Sequence, residues 1–172
     1  MSALDQARDI REGEGIDAAA LTAWCREHAP VLVPEHGEMT IRQFPGGASN
    51  LTYLLAVDGN EYVLRRPPFG SQVKSAHDMG REYGVLSRLH GVYEYAPEPI
   101  VHCTDEAVIG AEFYVMQRLR GVIVRRDLPE GVELSPAEAT RLCEQLLDVQ
   151  AQLHTTDVDA AGMADFGKPE GY

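Results

Sequence analysis

The chain has 172 residues, enough for one domain with a core of its own. It is 44% hydrophobic and 24% charged, ordinary for a globular protein, and no apolar run approaches the roughly 20 residues of a membrane span. A net charge of −12 argues against a general nucleic-acid surface. The opening residues MSALDQARDIREGEG lack the apolar region of a secretory signal. Cys25, Cys103 and Cys143 are odd in number, far apart and form no C-x-x-C pair. A reducing cytoplasm is therefore expected, with the thiols acting as small buried hydrophobes.

In chain order, Asp17 is a helix N-cap, and Ala18 to His28 places Leu21, Trp24 and Cys25 on one face. Pro30 and Pro34 end that helix. Met39 to Phe44 and Leu51 to Val57 predict strands, and Asp58-Gly59 is a strong hairpin turn into a third strand, Glu61 to Arg66. Ser75 to Asp78 reads as a capping-box-like helix start, with Met79, Tyr83, Leu86 and Leu89 following at helical spacing and Gly91 as the stop. Ile100 to Cys103 and Glu112 to Gln117 predict two more strands. Ser135-Pro136-Ala137-Glu138 is a capping box with proline at the first helical position. Leu142, Cys143, Leu146, Val149 and Leu153 give the following helix an apolar stripe.

The order is helix, three strands, helix, two strands, long helix. Five strands with a helix inserted after the third make an α+β, protein-kinase-like small lobe. Residues 1–38 form an N-terminal helical extension, 39–120 the nucleotide-binding lobe, and 121–172 a linker and the start of a helical second lobe.

The chemistry concentrates between Phe44 and Arg66, FPGGASNLTYLLAVDGNEYVLRR. Gly46 and Gly47 permit a close backbone approach that a Cβ would block. Ala48 continues the loop, and Ser49 and Asn50 could donate hydrogen bonds to phosphate or stabilise a plain hairpin. Arg65 supplies a permanent cation at the strand end, able to grip phosphate with two prongs. Glu82, on the next helix, is the anion that would orient it, as strand lysine and helix glutamate do in kinases. The bland alternative leaves Arg65 and Arg66 as exposed strand-end charges and Glu82 as a surface acid.

FPGGASNLTYLL, YVLRRPP, GREYGVL and FYVMQRLRGV occur in that order. Together they resemble the aminoglycoside-phosphotransferase-like family, in the branch also found as the kinase-like domain of acyl-CoA dehydrogenase family members. The resemblance implies a bilobal kinase fold that binds ATP with Mg2+ and phosphorylates a hydroxyl of a small molecule. It carries over Gly46, Gly47, Ala48, Ser49 and Asn50 as the phosphate loop, Arg65 and Glu82 as the phosphate cation and its partner, Met116 as the residue behind the adenine, and Gln117 to Leu119 as the hinge.

The H-G-D catalytic motif of that family is absent from these residues, so no catalytic residue is identified and the metal ligands are expected beyond Tyr172. His154 with Asp157, and Asp165-Phe166-Gly167, are string matches without the required context. The expected partners are a nucleotide and a small-molecule hydroxyl acceptor, with no nucleic acid and no membrane. Self-association through the apolar stripe of the last helix is a further expectation, and a non-catalytic, pseudokinase-like nucleotide- or partner-binding module is the alternative reading. A five-stranded domain with no nucleotide site is a third.

Overall fold

The computed structural model describes residues 5–45, 50–70, 78–124 and 127–166. Its elements are α1 (Ala18–His28), β1 (Met39–Gln43), β2 (Leu51–Val57), β3 (Asn60–Arg66), α2 (Met79–Leu89), β4 (Pro99–Cys103), β5 (Phe113–Gln117) and α3 (Pro136–His154). The described residues fall into two compact units. One comprises residues 6–86 and 97–119, and the other comprises residues 87–96 and 120–166 with Asp5.

In the first unit the strands form one antiparallel sheet in the order β1-β2-β3-β5-β4. β5 thus slots between β3 and β4, setting Arg65 directly opposite Tyr114 and Val63 opposite Met116. The hairpin between β2 and β3 turns on Asp58 (φ 49°) and Gly59 (φ 84°). Two consecutive positive φ values make the tight turn whose twist matches the strands, which is why Asp-Gly stands there.

Alternation along the strands divides the sheet into two faces. Tyr53, Leu55, Val57, Leu64, Phe113 and Val115 fill one face and pack with Leu21 and Cys25 of α1 and with Leu32 and Val33. The helix expected as an extension therefore shares the core of the sheet. Asp17 caps it by accepting from the amides of Ala19 (2.9 Å) and Ala20 (3.0 Å), and Trp24 meets Phe113 edge-on at 5.2 Å. The other face carries Leu54, Val63, Arg65, Tyr114 and Met116, with α2 alongside.

The chain before α1 runs along the free edge of β1. Arg8 and Gln43 exchange backbone hydrogen bonds of 2.7 and 2.8 Å. The buried Gln43 side chain accepts from the Arg11 amide and donates to Glu14, while Tyr53 donates its hydroxyl to the Glu14 carbonyl.

In the second unit α3 begins with the expected capping box of Ser135 and Glu138. None of its residues is buried. Cys143, expected to be buried, is exposed because it lies on this uncovered helix, whereas Cys25 and Cys103 are buried as expected. Among the described residues no helix is long and apolar enough to cross a membrane.

Candidate functional site: a cation held between sheet and helix

Three elements converge on the Glu82 carboxylate. Arg65 Nη1 lies 3.2 Å from Oε2. Tyr114 donates its hydroxyl to the same oxygen at 2.9 Å. Asn50 donates from Nδ2 to Oε1 at 2.8 Å. The register explains the first two contacts, because Arg65 and Tyr114 are cross-strand partners and leave the sheet on the same side. α2 supplies Glu82 in its first turn, where Asp78 caps it by accepting from the Arg81 amide at 2.7 Å. The rest of the expected cap, Ser75 to His77, lies outside the described residues.

The magnitudes separate two roles for this cluster. An ion pair about one-third exposed on both sides, as this one is at 31% and 32%, contributes about 0–1 kcal/mol to stability. Arg65 Nε is buried without a hydrogen-bond partner, and an unsatisfied buried donor costs about 1–3 kcal/mol. The arrangement is thus a poor device for stability and a good one for holding a charged fork in a fixed pose. Burial pushes the Tyr114 hydroxyl well above its ordinary range, and the neighbouring Glu82 adds to that push against the opposing pull of Arg65. Tyr114 therefore stays protonated and remains a donor to Glu82.

A second pair braces α2 from the far side. His102 Nε2 lies 2.6 Å from Glu112 Oε1, and Tyr83 of α2 stacks on the His102 ring with centroids 5.2 Å apart. Gly80 makes this approach possible, since a Cβ there would stand 3.3 Å from Glu112 Oε1 and 3.4 Å from His102 Cε1. A cavity of about 430 Å³ lies between α2 and the sheet, with Arg65 and Glu82 at its polar end and Val85, Leu86, Pro97 and Met116 as apolar walls.

Of the residues singled out from sequence, Asn50, Arg65 and Glu82 come together, and Met116 stands beside them on β5. Gln117 and Leu119 do not join that network. Both are exposed, and the Gln117 amide is already bonded to the Glu98 carbonyl at 2.8 Å. Gly46, Gly47, Ala48 and Ser49 lie outside the described residues. Asp157 accepts from the Asp159 and Ala160 amides at 2.9 and 3.0 Å, which makes it a turn-former, and Asp165 is exposed. Among the described residues no group of three histidines, cysteines or carboxylates could hold a metal ion.

Two findings lay outside the sequence reading. Tyr114 is part of the cluster, and the only signal for it was its place two residues before Met116 on one strand. Arg66, which the bland alternative left as an exposed strand-end charge, is only 1% exposed. It points to the opposite face from Arg65, donates to the Ile109 carbonyl at 2.8 Å and lies over the Phe69 ring at 3.7 Å.

Comparison with known proteins agrees with this architecture. The chain is 40% identical over 137 residues to acyl-CoA dehydrogenase family member 11 of Gallus gallus, covering 79% of this chain and 17% of that protein. It is 35% identical to the Homo sapiens protein of the same name, covering 91% of this chain and 20% of that one. The chain therefore spans about a fifth of the length of these curated relatives. A crystal structure from Ralstonia eutropha, of a protein described as an aminoglycoside phosphotransferase, superposes with a TM-score of 0.72 at 34% identity, covering 92% of this chain and 44% of that one. The five-stranded sheet and its helices are thus a kinase-like, α+β aminoglycoside phosphotransferase fold. The phosphotransferase enzyme family matches residues 40–172, which take in the sheet from Thr40 onward, the Arg65–Glu82 cluster and α3, and the chain belongs to that family.

Proposed function

We propose that this chain forms the ATP-binding part of a small-molecule phosphotransferase that moves the γ-phosphoryl group of ATP to a substrate hydroxyl. The observation that carries the reading is the Arg65 guanidinium, oriented by Glu82 and about one-third exposed. A phosphate oxygen is the ligand that such a fork fits. ATP supplies the transferable phosphoryl group. Arg65 would bind its phosphates and stabilise their charge, while Glu82, itself fixed by Asn50 and Tyr114, holds the cation in place so that little reorganisation is needed. No described residue is assigned to Mg2+, because no set of ligands for it stands together among them.

Replacing Arg65 with alanine tests the reading. ATP affinity, measured by calorimetric titration, is expected to fall about tenfold or more, the loss of one charge-assisted contact. The thermal midpoint should move little, since the pair contributes about 1 kcal/mol at most. Equal ATP affinity in the variant would remove the phosphate role.

One observation favours a second reading, in which the chain binds nucleotide or a partner without transferring phosphate. Neither Asp157 nor Asp165 stands as a general base, since one forms a turn and the other is exposed. A phosphate-release and acceptor-phosphorylation assay on residues 1–172 decides it. No turnover is expected, and turnover abolished by changing Asp157 or Asp165 would reverse that assignment.

A further inference from the structure

The cavity between α2 and the sheet is sorted along its length. On α2, Arg81 and Val85 lie one turn apart in one row, and Glu82 and Leu86 in the next. Each row therefore starts at a charge near the start of the helix and ends at a hydrocarbon about 6 Å further along the axis. β5 follows the same order, with Tyr114 at the charged end and Met116 two residues on, beside Pro97. All of these residues belong to the first compact unit.

The two ends of the cavity are incompletely matched. Glu82 is fully engaged, since Oε2 faces Arg65 and Tyr114 and Oε1 accepts from Asn50. Arg81 lines the same cavity and donates its backbone amide to Asp78, but among the described residues its guanidinium enters no hydrogen bond and no ion pair. The polar end thus carries one uncompensated positive charge. At the other end, Val85 and Leu86 are only half-buried, so apolar surface stands open beside that charge.

We propose that this cavity binds a small apolar carboxylate, with its anion on Arg81 and its tail between Val85 and Leu86 on one side and Pro97 and Met116 on the other. The charge count selects a monoanion. One guanidinium is unbalanced, so a second negative charge in the cavity would go uncompensated. The walls select an aliphatic body. Their side chains offer no hydrogen bonds to the edge of a base, and the Gln117 amide beyond Met116 is bonded to the Glu98 carbonyl. A volume of about 430 Å³ stands at the small end of ligand cavities. Octanoate, with one charge and an unbranched tail, is the matching probe. The site goes beyond the phosphate reading and does not need it, because Arg65 stays with Glu82.

Calorimetric titration of residues 1–172 with butanoate, hexanoate, octanoate and octylammonium tests the proposal. Affinity is expected to rise about two- to fourfold per methylene. Octylammonium, a cation with the tail of octanoate, is expected to bind about tenfold more weakly than octanoate or worse. Arg81→Ala is expected to weaken octanoate about tenfold, and Val85→Trp, which fills the cavity, by at least as much. These two variants separate the cavity from the exposed stripe of α3. Both should bind ATP as the unaltered chain does, whereas Arg65→Ala should weaken ATP. Affinity that does not grow with chain length, equal binding of octylammonium, or unchanged octanoate affinity in Arg81→Ala overturns the carboxylate site. The phosphate role then still stands if Arg65→Ala weakens ATP, and falls on its own if it does not. ATP and octanoate weakened alike by Val85→Trp would make the cavity part of the nucleotide chamber and overturn a separate site. Should Val85→Trp fail to melt cooperatively, the length series and Arg81→Ala decide, since Arg81 is exposed and its truncation leaves the core intact.

Discussion

The two faces of the sheet are made from the same strands and do different work. Toward α1, Tyr53, Leu55, Val57, Leu64, Phe113 and Val115 are apolar and sealed, with the buried Arg66 at the end of β3. Toward α2, the strands present Arg65, Tyr114 and His102, each engaged with a carboxylate. The first face gains its free energy from area removed from water. The second spends part of that gain on holding charges in fixed positions, and an ion pair one-third exposed returns little of it. Stability and ligand binding should therefore separate cleanly when one face is altered at a time.

The largest effect is expected from Phe113→Ala. Phe113 is fully buried and meets Trp24 edge-on, and such truncations cost about 3–5 kcal/mol. Chemical denaturation should show that loss, and ATP binding should fail only where the fold does. A variant that stayed as stable as the parent would mean that the α1 face is not the main source of stability.

Arg66→Ala comes next and sharpens the contrast with its neighbour. It leaves the Ile109 carbonyl without its donor and strips the cover from Phe69, a loss of about 1–3 kcal/mol. Its effect on ATP affinity should be no more than the fraction unfolded accounts for. Arg65→Ala should do the reverse, with small change in stability and large change in affinity. If both arginines moved stability equally, the division of labour between the faces would be wrong.

This pair also shows what could be read from sequence. Side-chain alternation along β3 and the Asp-Gly turn were local signals, and each strand lies within a residue of its expected bounds. The pairing of Arg65 with Glu82 followed from a family-like arrangement of loop, strand and helix. The burial of Arg66 did not, because its partner carbonyl belongs to Ile109, 43 residues away. Tyr114 was equally hidden. Its contact depends on β5 inserting beside β3 ahead of β4, which is a property of the sheet order and not of any segment.

A smaller, pH-dependent effect should report the buried ionisable groups of both faces, since burial pushes the Tyr114 hydroxyl up as well. Burial pushes the Cys25 thiol and the Tyr53 hydroxyl up to about 12 each. Both groups keep their protons longer in the folded chain than in the unfolded one. Their contribution is therefore complete below the unfolded values and is lost as pH rises from about 9 toward 12. The thermal midpoint should fall across that window, with the tyrosine part beginning near pH 10. Tyr53→Phe should make the fall shallower above pH 10 while leaving the cysteine part in place. A midpoint that stayed flat to pH 12 would show that these groups are more solvated than their burial implies.

The smallest expected change in stability is at α3, which has no buried face. Leu146 is 66% exposed and Leu147 64% exposed, so Leu146→Lys removes no packing within the described residues and should alter the unfolding free energy by less than about 0.5 kcal/mol. What it should alter is association. Leu142, Leu146 and Leu153 lie on one apolar stripe, and a stripe of that kind left in water favours contact between molecules. Sedimentation of residues 1–172 over a range of concentrations should show self-association that the lysine variant reduces. A large drop in thermal midpoint would instead mean that the stripe is packed within the molecule. In that case the contrast between a sealed sheet face and an open helix would have to be redrawn.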